Sequence, residues 1–504
     1  MVASHNGSEM SNTTCQRRLV IIGGGVGGVA AFAAAVRFRI AHSVDIIDPA
    51  GIGRCVAFSA IDPALLCNTS VETMSILDDD PDDFLAYLHS IGVPASRDAF
   101  VPRFYVSNYL VSRHSSFATL AHSVGISHRL VQATARRITK VPTGGYHVLL
   151  DDDTKLEASD VLVCTGTGES YVPDVVRAHV GTPRLFECLY PEERVLKQLA
   201  PRSRVLVLGS RLSAVDAALI LCRAGHSVVA ASPSGRLPAV RTATPRMCAI
   251  PVDTGAFARL DLRSPTLSWR ILRIVSRAAR AVRGQPLRKQ VAYDSEPVER
   301  LRLEVELARR GATDWQSIIV GHMDAAERRL RDDPPAQQRT AIGEMSRPVG
   351  RYLFACPVQN GEKLLGYAEQ NLFRVKAATP AALYRDETWR VQWHDGSPDA
   401  YDAVVCATGF HKAYLRVSAD KLALDADMDA DIGVEPHVST DLRVWMAGAS
   451  QAERIWTLGL ASHLGSPMIN AVYQIVRQAG DLCRHWRGLD ELNHERLTVA
   501  AEAG

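Results

Sequence analysis

Residues 18–40 read RLVIIGGGVGGVAAFAAAVRFRI, and the fold turns on how this run is parsed. The eighteen residues 19–36 carry no charge, the least that could span a membrane. Five glycines cluster in their middle, however, and Arg37 and Arg39 follow at once. A short apolar strand, a glycine turn and an alanine-rich helix explain the pattern better than a span does. The next strand, SVDIID, ends on Asp48.

Gly23, Gly25 and Gly28 satisfy GxGxxG, and Asp48 stands twenty positions after Gly28. In a strand-turn-helix of this kind the first glycine permits the tight turn. The second lets backbone N–H groups approach a pyrophosphate, the third lets helix and strand pack closely, and the acid accepts hydrogen bonds from a ribose. The order of all these parts predicts a dinucleotide site.

A second turn follows near residue 205, in VLVLGSRLSAVDAALIL. Gly209, Ser213 and Ala214 keep the layout, but Arg211 replaces the middle glycine. No acid closes the next strand. Ser232, Ser234 and Arg236 stand there instead, a set suited to a 2′-phosphate, so NADPH is expected over NADH. Arg211 denies close backbone approach yet offers a forked guanidinium to phosphate. We read a working site, with Gly209, Ser210, Arg211, Ser213, Ser232 and Arg236 as its binding residues. The alternative is a lost site whose electrons come from a separate reductase.

Two strands bracket this motif: DVLVCTGTGESYVP (160–173) and DAVVCATGF (402–410), each running from an Asp into TG. Such a pair marks where a chain leaves and re-enters an FAD domain. The expected fold class is α/β, a two-dinucleotide-binding flavoprotein with an inserted NAD(P)H domain and a helical insertion. Its expected boundaries are 17–200 and 396–490 for the FAD-binding domain, 201–256 and 341–395 for the NAD(P)H domain, and 257–340 for the insertion. In the closing part, VWMAGAS reads as a strand, and Ser466 and Pro467 as the N-cap and first position of a helix aimed at the flavin.

Within the insertion, SWRILRIVSRAARAVRG sets Arg270, Arg273, Arg277, Arg280 and Arg283 opposite Ile271, Ile274, Val275 and Val282. The reading is a solvated helix face; a membrane surface or a gripped anion is the alternative. Basic and acidic side chains number 57 and 55, which gives no case for nucleic acid as partner. Ten cysteines without a CxxC pair read as reduced thiols in a cytoplasmic protein with no metal site. Homo-oligomerisation stays open.

Residues 51–88, GIGRCVAFSAIDPALLCNTSVETMSILDDDPDDFLAYL, resemble a group of FAD/NAD(P)-binding proteins with the pattern GxGxAY, LLN, MS and DPxxF. Gly51, Gly53, Ala57, Leu65, Leu66, Asn68, Met74, Ser75, Asp80, Pro81 and Phe84 match it; Phe58 replaces Tyr and Cys67 intrudes before Asn68. More distantly the chain is similar to FAD- and NADPH-dependent N-hydroxylating monooxygenases, through Asp402, Ala407, Thr408, Gly409 and Phe410. Leu415 stands where their later His or Pro is expected.

The resemblance implies hydride transfer from NADPH to FAD, capture of O₂ as a C4a-hydroperoxyflavin, and oxygen transfer to a nucleophilic atom, often an amine. Members of the wider group include nitrosuccinate-forming aspartate N-monooxygenases, so a small amino-bearing metabolite is the expected substrate. Asn68 is placed at the flavin's reacting edge, and His463 as a partner of substrate or flavin. Arg54, Met74, Gly166, Gly409 and Gly448 join the cofactor-binding set. Arg103, Arg241 or Arg246 could clamp a substrate carboxylate, though an ion pair is the commoner role. Two alternatives stand beside this: an NAD(P)H-dependent flavin oxidoreductase that inserts no oxygen, and a flavin-binding regulatory or scaffold protein. No CxxxxC follows the first glycine turn, which weakens the disulfide-reductase branch.

Overall fold

A computed structural model describes residues 17–56, 58–244, 253–283, 286–313, 315–330, 333–425, 433–466 and 468–502. Ala57, Arg246 and Pro467 lie outside the described residues.

The uncharged run divides as its glycines dictate, into strand Arg18–Ile22 and helix Val26–Phe38. The strand is central to a parallel sheet that also holds Ser43–Ile47, Ser127–Val131, Asp160–Val163 and Ile455–Thr457. Its alternation sorts the core. Leu19 and Ile21 pack under helices Val26–Phe38, Phe104–Ser123 and Val472–Glu502, whereas Val20 and Ile22 face an antiparallel sheet that includes Ala135–Lys140 and Tyr146–Leu150. Each such side chain, fully buried, contributes about 1.5–3 kcal/mol.

The second unit repeats the scheme. Strand Arg204–Leu208 lies between Ser227–Ser232 and Ala403–Cys406 in another five-stranded parallel sheet. Val205 and Val207 face helices, and Leu206 and Leu208 face the three-stranded meander of residues 380–401. All-buried strands of this kind read as continuous apolar runs in sequence.

Two expected boundaries and one expected strand differ. Ala403–Cys406 pairs with Arg204–Leu208, so the return to the first unit falls after residue 406 and not at 396. Helix Pro335–Leu353 runs across residue 340 and packs on helix Leu267–Arg283, extending the helical insertion beyond its expected end. In the C-terminal part the strand that joins the first parallel sheet is Ile455–Thr457, whereas Val444–Trp445 forms a ladder with His437–Val438.

Ser466 is not a helix N-cap either. The last helix starts at Val472, and the Ser466 hydroxyl instead donates to the buried carboxylate of Glu327. The polar serine is thereby satisfied by the helical insertion, which leaves the last helix's first turn elsewhere.

The two units are joined by crossings that bind each other. Gly168 N donates to His411 O at 2.9 Å, His411 N to Glu169 O at 2.8 Å and Tyr171 N to Gly409 O at 2.9 Å. A short antiparallel ribbon results, with Ser170 opposite Phe410.

Candidate cofactor turns and the cavity at the crossings

The first glycine turn is dictated by close contacts. Gly23 has φ 114°, and a Cβ there would stand 2.4 Å from the carbonyl oxygen of Cys164; one on Gly28 would stand 1.8 Å from the carbonyl oxygen of Gly23. Only glycine fits either place. Gly25 differs: its backbone is extended, and a Cβ would meet nothing nearer than Cys55 Cβ at 3.6 Å. Its missing side chain leaves open space at the helix N-terminus, the cradle a pyrophosphate needs. Asp48 accepts from Gly24 N at 2.7 Å and from Ala50 N at 2.9 Å, which aims its carboxylate at that turn.

The second turn has the same build. Gly209 N donates to Ala231 O as Gly23 N does to Ile47 O, and a Cβ on Gly209 would lie 2.4 Å from Ala407 O. Arg211 has φ −97° and ψ −160°, close to the −80° and −161° of Gly25. Arginine therefore fits the backbone without strain, and what it changes is the space in front of helix Leu212–Arg223, in whose first turn Ser213 lies. Its side chain is exposed, and among the described residues no carboxylate pairs with it.

The matching register sets Ser232 where the first unit has Asp48. The Ser232 and Ser210 hydroxyls lie 2.7 Å apart, Ser210 donates to Arg236 O at 2.8 Å, and Ser232 accepts from Gly235 N at 3.0 Å. Ser234 and Arg236 are exposed on the same loop. A neutral pair beside an arginine replaces the acid that would repel a 2′-phosphate.

A cavity of about 850 Å³ opens at the crossings. Thr165, Gly168 and Glu169 line it from the first crossing, His411, Lys412 and Arg416 from the second, and Gln338, Arg339 and Ile342 from the insertion. Because Cys164 O touches Gly23, Thr165 ties this cavity to the first glycine turn. Gly166, Gly409 and Gly448 take φ of 75°, 93° and 72°, with open space where a Cβ would be.

His463 lines the cavity, and burial followed by the Lys412 charge lowers its pKa, so its imidazole is neutral near pH 7. Asn68 does not line it. Half-buried, Asn68 sits in the loop that Cys67 N anchors to Val101 O and Ser70 Oγ to Thr244 O, both at 2.8 Å. Met74 is buried beneath that loop and Arg54 is exposed. The two expected catalytic residues are thus not brought together in this cavity. Glu169, His411, Lys412 and Arg416, which do line it, were missed in the sequence, although each follows a TG closely enough to have been flagged.

The candidate carboxylate clamps separate. Arg103 is committed: it donates to Asp216 Oδ1 at 3.1 Å, to Leu66 O at 3.0 Å and to the Tyr190 hydroxyl at 3.0 Å, all buried or nearly so. Burial alone would lower its pKa, but Asp216 and Tyr190 more than offset that and raise it. It ties the two units together, and its guanidinium, buried and already paired with the Asp216 carboxylate, is not free to clamp a substrate carboxylate. Arg241 is also buried, donating to Thr244 Oγ1 at 2.8 Å and to the carbonyls of Tyr352 and Leu353 at 2.7 and 2.9 Å. Burial pulls it down to about 10.

Two turns, two parallel sheets and a double crossing define the fold of the two-dinucleotide-binding flavoproteins. Residues 20–168 match the FAD-NAD(P)-binding family. No curated protein matches the chain. Among solved structures, L-lysine 6-monooxygenase from Pseudomonas syringae is similar at TM-score 0.51 and 16% identity, over 94% of this chain and 99% of that one. OTEMO in complex with FAD and NADP is similar at TM-score 0.52 and 13% identity, over 95% and 87%. At such identities the likeness is one of fold. Among the described residues no helix is long and apolar enough to cross a membrane.

Proposed function

We propose that the protein is an FAD-dependent monooxygenase that takes hydride from NADPH and oxidises the nitrogen of a small amino acid or amine. The observation that carries this reading is the shared geometry of the turns: the first presents Asp48 and the second replaces it by Ser232 with Arg236 nearby. One turn suits the ribose of FAD, the other the 2′-phosphate of NADPH. FAD would lie along Gly25 and Asp48 and supply hydride acceptance and oxygen activation. The crossings and the insertion wall the space next to it, from which a bound substrate would displace water.

The cavity walls carry both signs, Glu169 and Glu435 with Lys412 and Arg416, which suits a zwitterion. A neutral His463 can accept a proton from an ammonium group there, leaving the amine nucleophilic. The lysine monooxygenase sharing this fold supports an amine as the oxidised group.

Stopped-flow absorbance tests it. NADPH should bleach the flavin anaerobically, and mixing with O₂ should give a transient spectrum unlike oxidised or reduced flavin. If dithionite bleaches the flavin and NADPH does not, Arg211 blocks the second turn and the enzyme is not self-sufficient. Direct return of the oxidised spectrum, with amines changing nothing, would favour an oxidoreductase without oxygen insertion.

A further inference from the structure

We propose that the outer face of helix Leu267–Arg283 binds the surface of an anionic lipid bilayer. This inference is independent of the reaction the enzyme performs.

The helix has seventeen residues and not one acid. Leu267, Ile271, Val275 and Ala279 are buried, packed toward helices Trp315–Leu330 and Pro335–Leu353. The opposite arc holds Arg270, Arg273, Arg277 and Arg280, all exposed. Among the described residues none of these four pairs with a carboxylate. Like charges at spacings of three and four destabilise a helix in water. A surface helix whose only partner is solvent normally interleaves acids, and this one does not.

Two apolar side chains share the basic arc. Trp269 is 62% exposed, with the Arg273 guanidinium 5.5 Å from its ring centroid, and Leu272 is 37% exposed. A short turn after the helix adds exposed Arg288 and Lys289, followed by Tyr293 at 74% exposure. Cationic heads around an exposed tryptophan and leucine match the headgroup region of an anionic membrane, where indole rings sit at the interface and arginines meet phosphate. The apolar members and a whole-chain charge of only +2 argue against nucleic acid.

The FAD-loaded full chain is sedimented with vesicles of phosphatidylcholine alone and of phosphatidylcholine mixed with phosphatidylglycerol. Binding is expected to the mixed vesicles only and to fall with added salt. Neutralising substitutions should weaken it about five-fold per arginine, tested as Arg273→Gln and Arg277→Gln, and the double reversal R273E/R277E should abolish it. Trp269→Ala should weaken binding and leave its salt dependence intact. Flavin absorbance and circular dichroism confirm that each variant is folded, and the glutamine forms serve if the reversal fails that check. Equal binding to both vesicles, no binding to either, or indifference to these substitutions overturns the proposal. Capture on an acidic protein or on nucleic acid without vesicle binding overturns it as well.

Discussion

The hydroxyls of Ser210 and Ser232 lie 2.7 Å apart at the position where the first unit presents the carboxylate of Asp48. Ser232→Asp would restore the acid and, with it, repulsion of a 2′-phosphate. We expect the ratio of kcat/KM for NADPH over NADH to fall at least ten-fold, about 1.4 kcal/mol. Arg236→Ala should raise KM for NADPH by about ten-fold and leave NADH nearly unaffected. Equal losses for both nucleotides would show that this loop does not read the phosphate.

The contact between Gly23 and Cys164 O predicts that Gly23→Ala loses flavin. The clash at 2.4 Å and a φ of 114° together cost about 3 kcal/mol or more. The purified variant should be colourless and melt lower. Gly25→Ala, whose Cβ meets open space, should stay folded and show its defect as weaker FAD affinity.

Asp216→Asn should destabilise by about 3–5 kcal/mol, because Arg103 would remain buried without its charge partner. In urea unfolding the double variant Arg103→Met/Asp216→Leu should be less damaged than either single change. Additive losses would show that the two side chains are not coupled.

His114 and His128 place their Nε2 atoms 2.9 Å apart beside Phe32. Burial, then the facing His128, pulls His114 from 6.5 down to about 4. Below pH 6.5 the unfolded chain takes up a proton that the folded chain refuses. Stability present above that pH is therefore lost as pH falls toward 4. The urea midpoint should drop between about pH 7.5 and pH 5, and His114→Phe should flatten the drop.

The glycine turns and the expected pair of TG crossings were legible because each is local: a strand, a turn and a helix lie within about twenty-five consecutive residues. What escaped the sequence depends on partners far along the chain. Ala403–Cys406 looks like any buried strand, and only its pairing with Arg204–Leu208 assigns it to the second sheet. In the sequence Arg103 could be either a substrate clamp or an ion-pair member, and only Asp216, 113 positions away, decides between them. Ser466 carries an N-cap's chemistry but meets Glu327 of the insertion first. The cavity joins segments spread between Thr134 and Leu464, so its cations and acids have no common spacing to detect.

The ribbon formed by residues 168–171 and 409–411 laces together the two crossings between the units. Two strands laced side by side resist shear and splaying, and twist together about their shared length more readily than they separate. Gly168, Glu169 and His411 belong to that axle and also wall the cavity. A change in the twist of this ribbon would therefore move residues of the cavity wall with it.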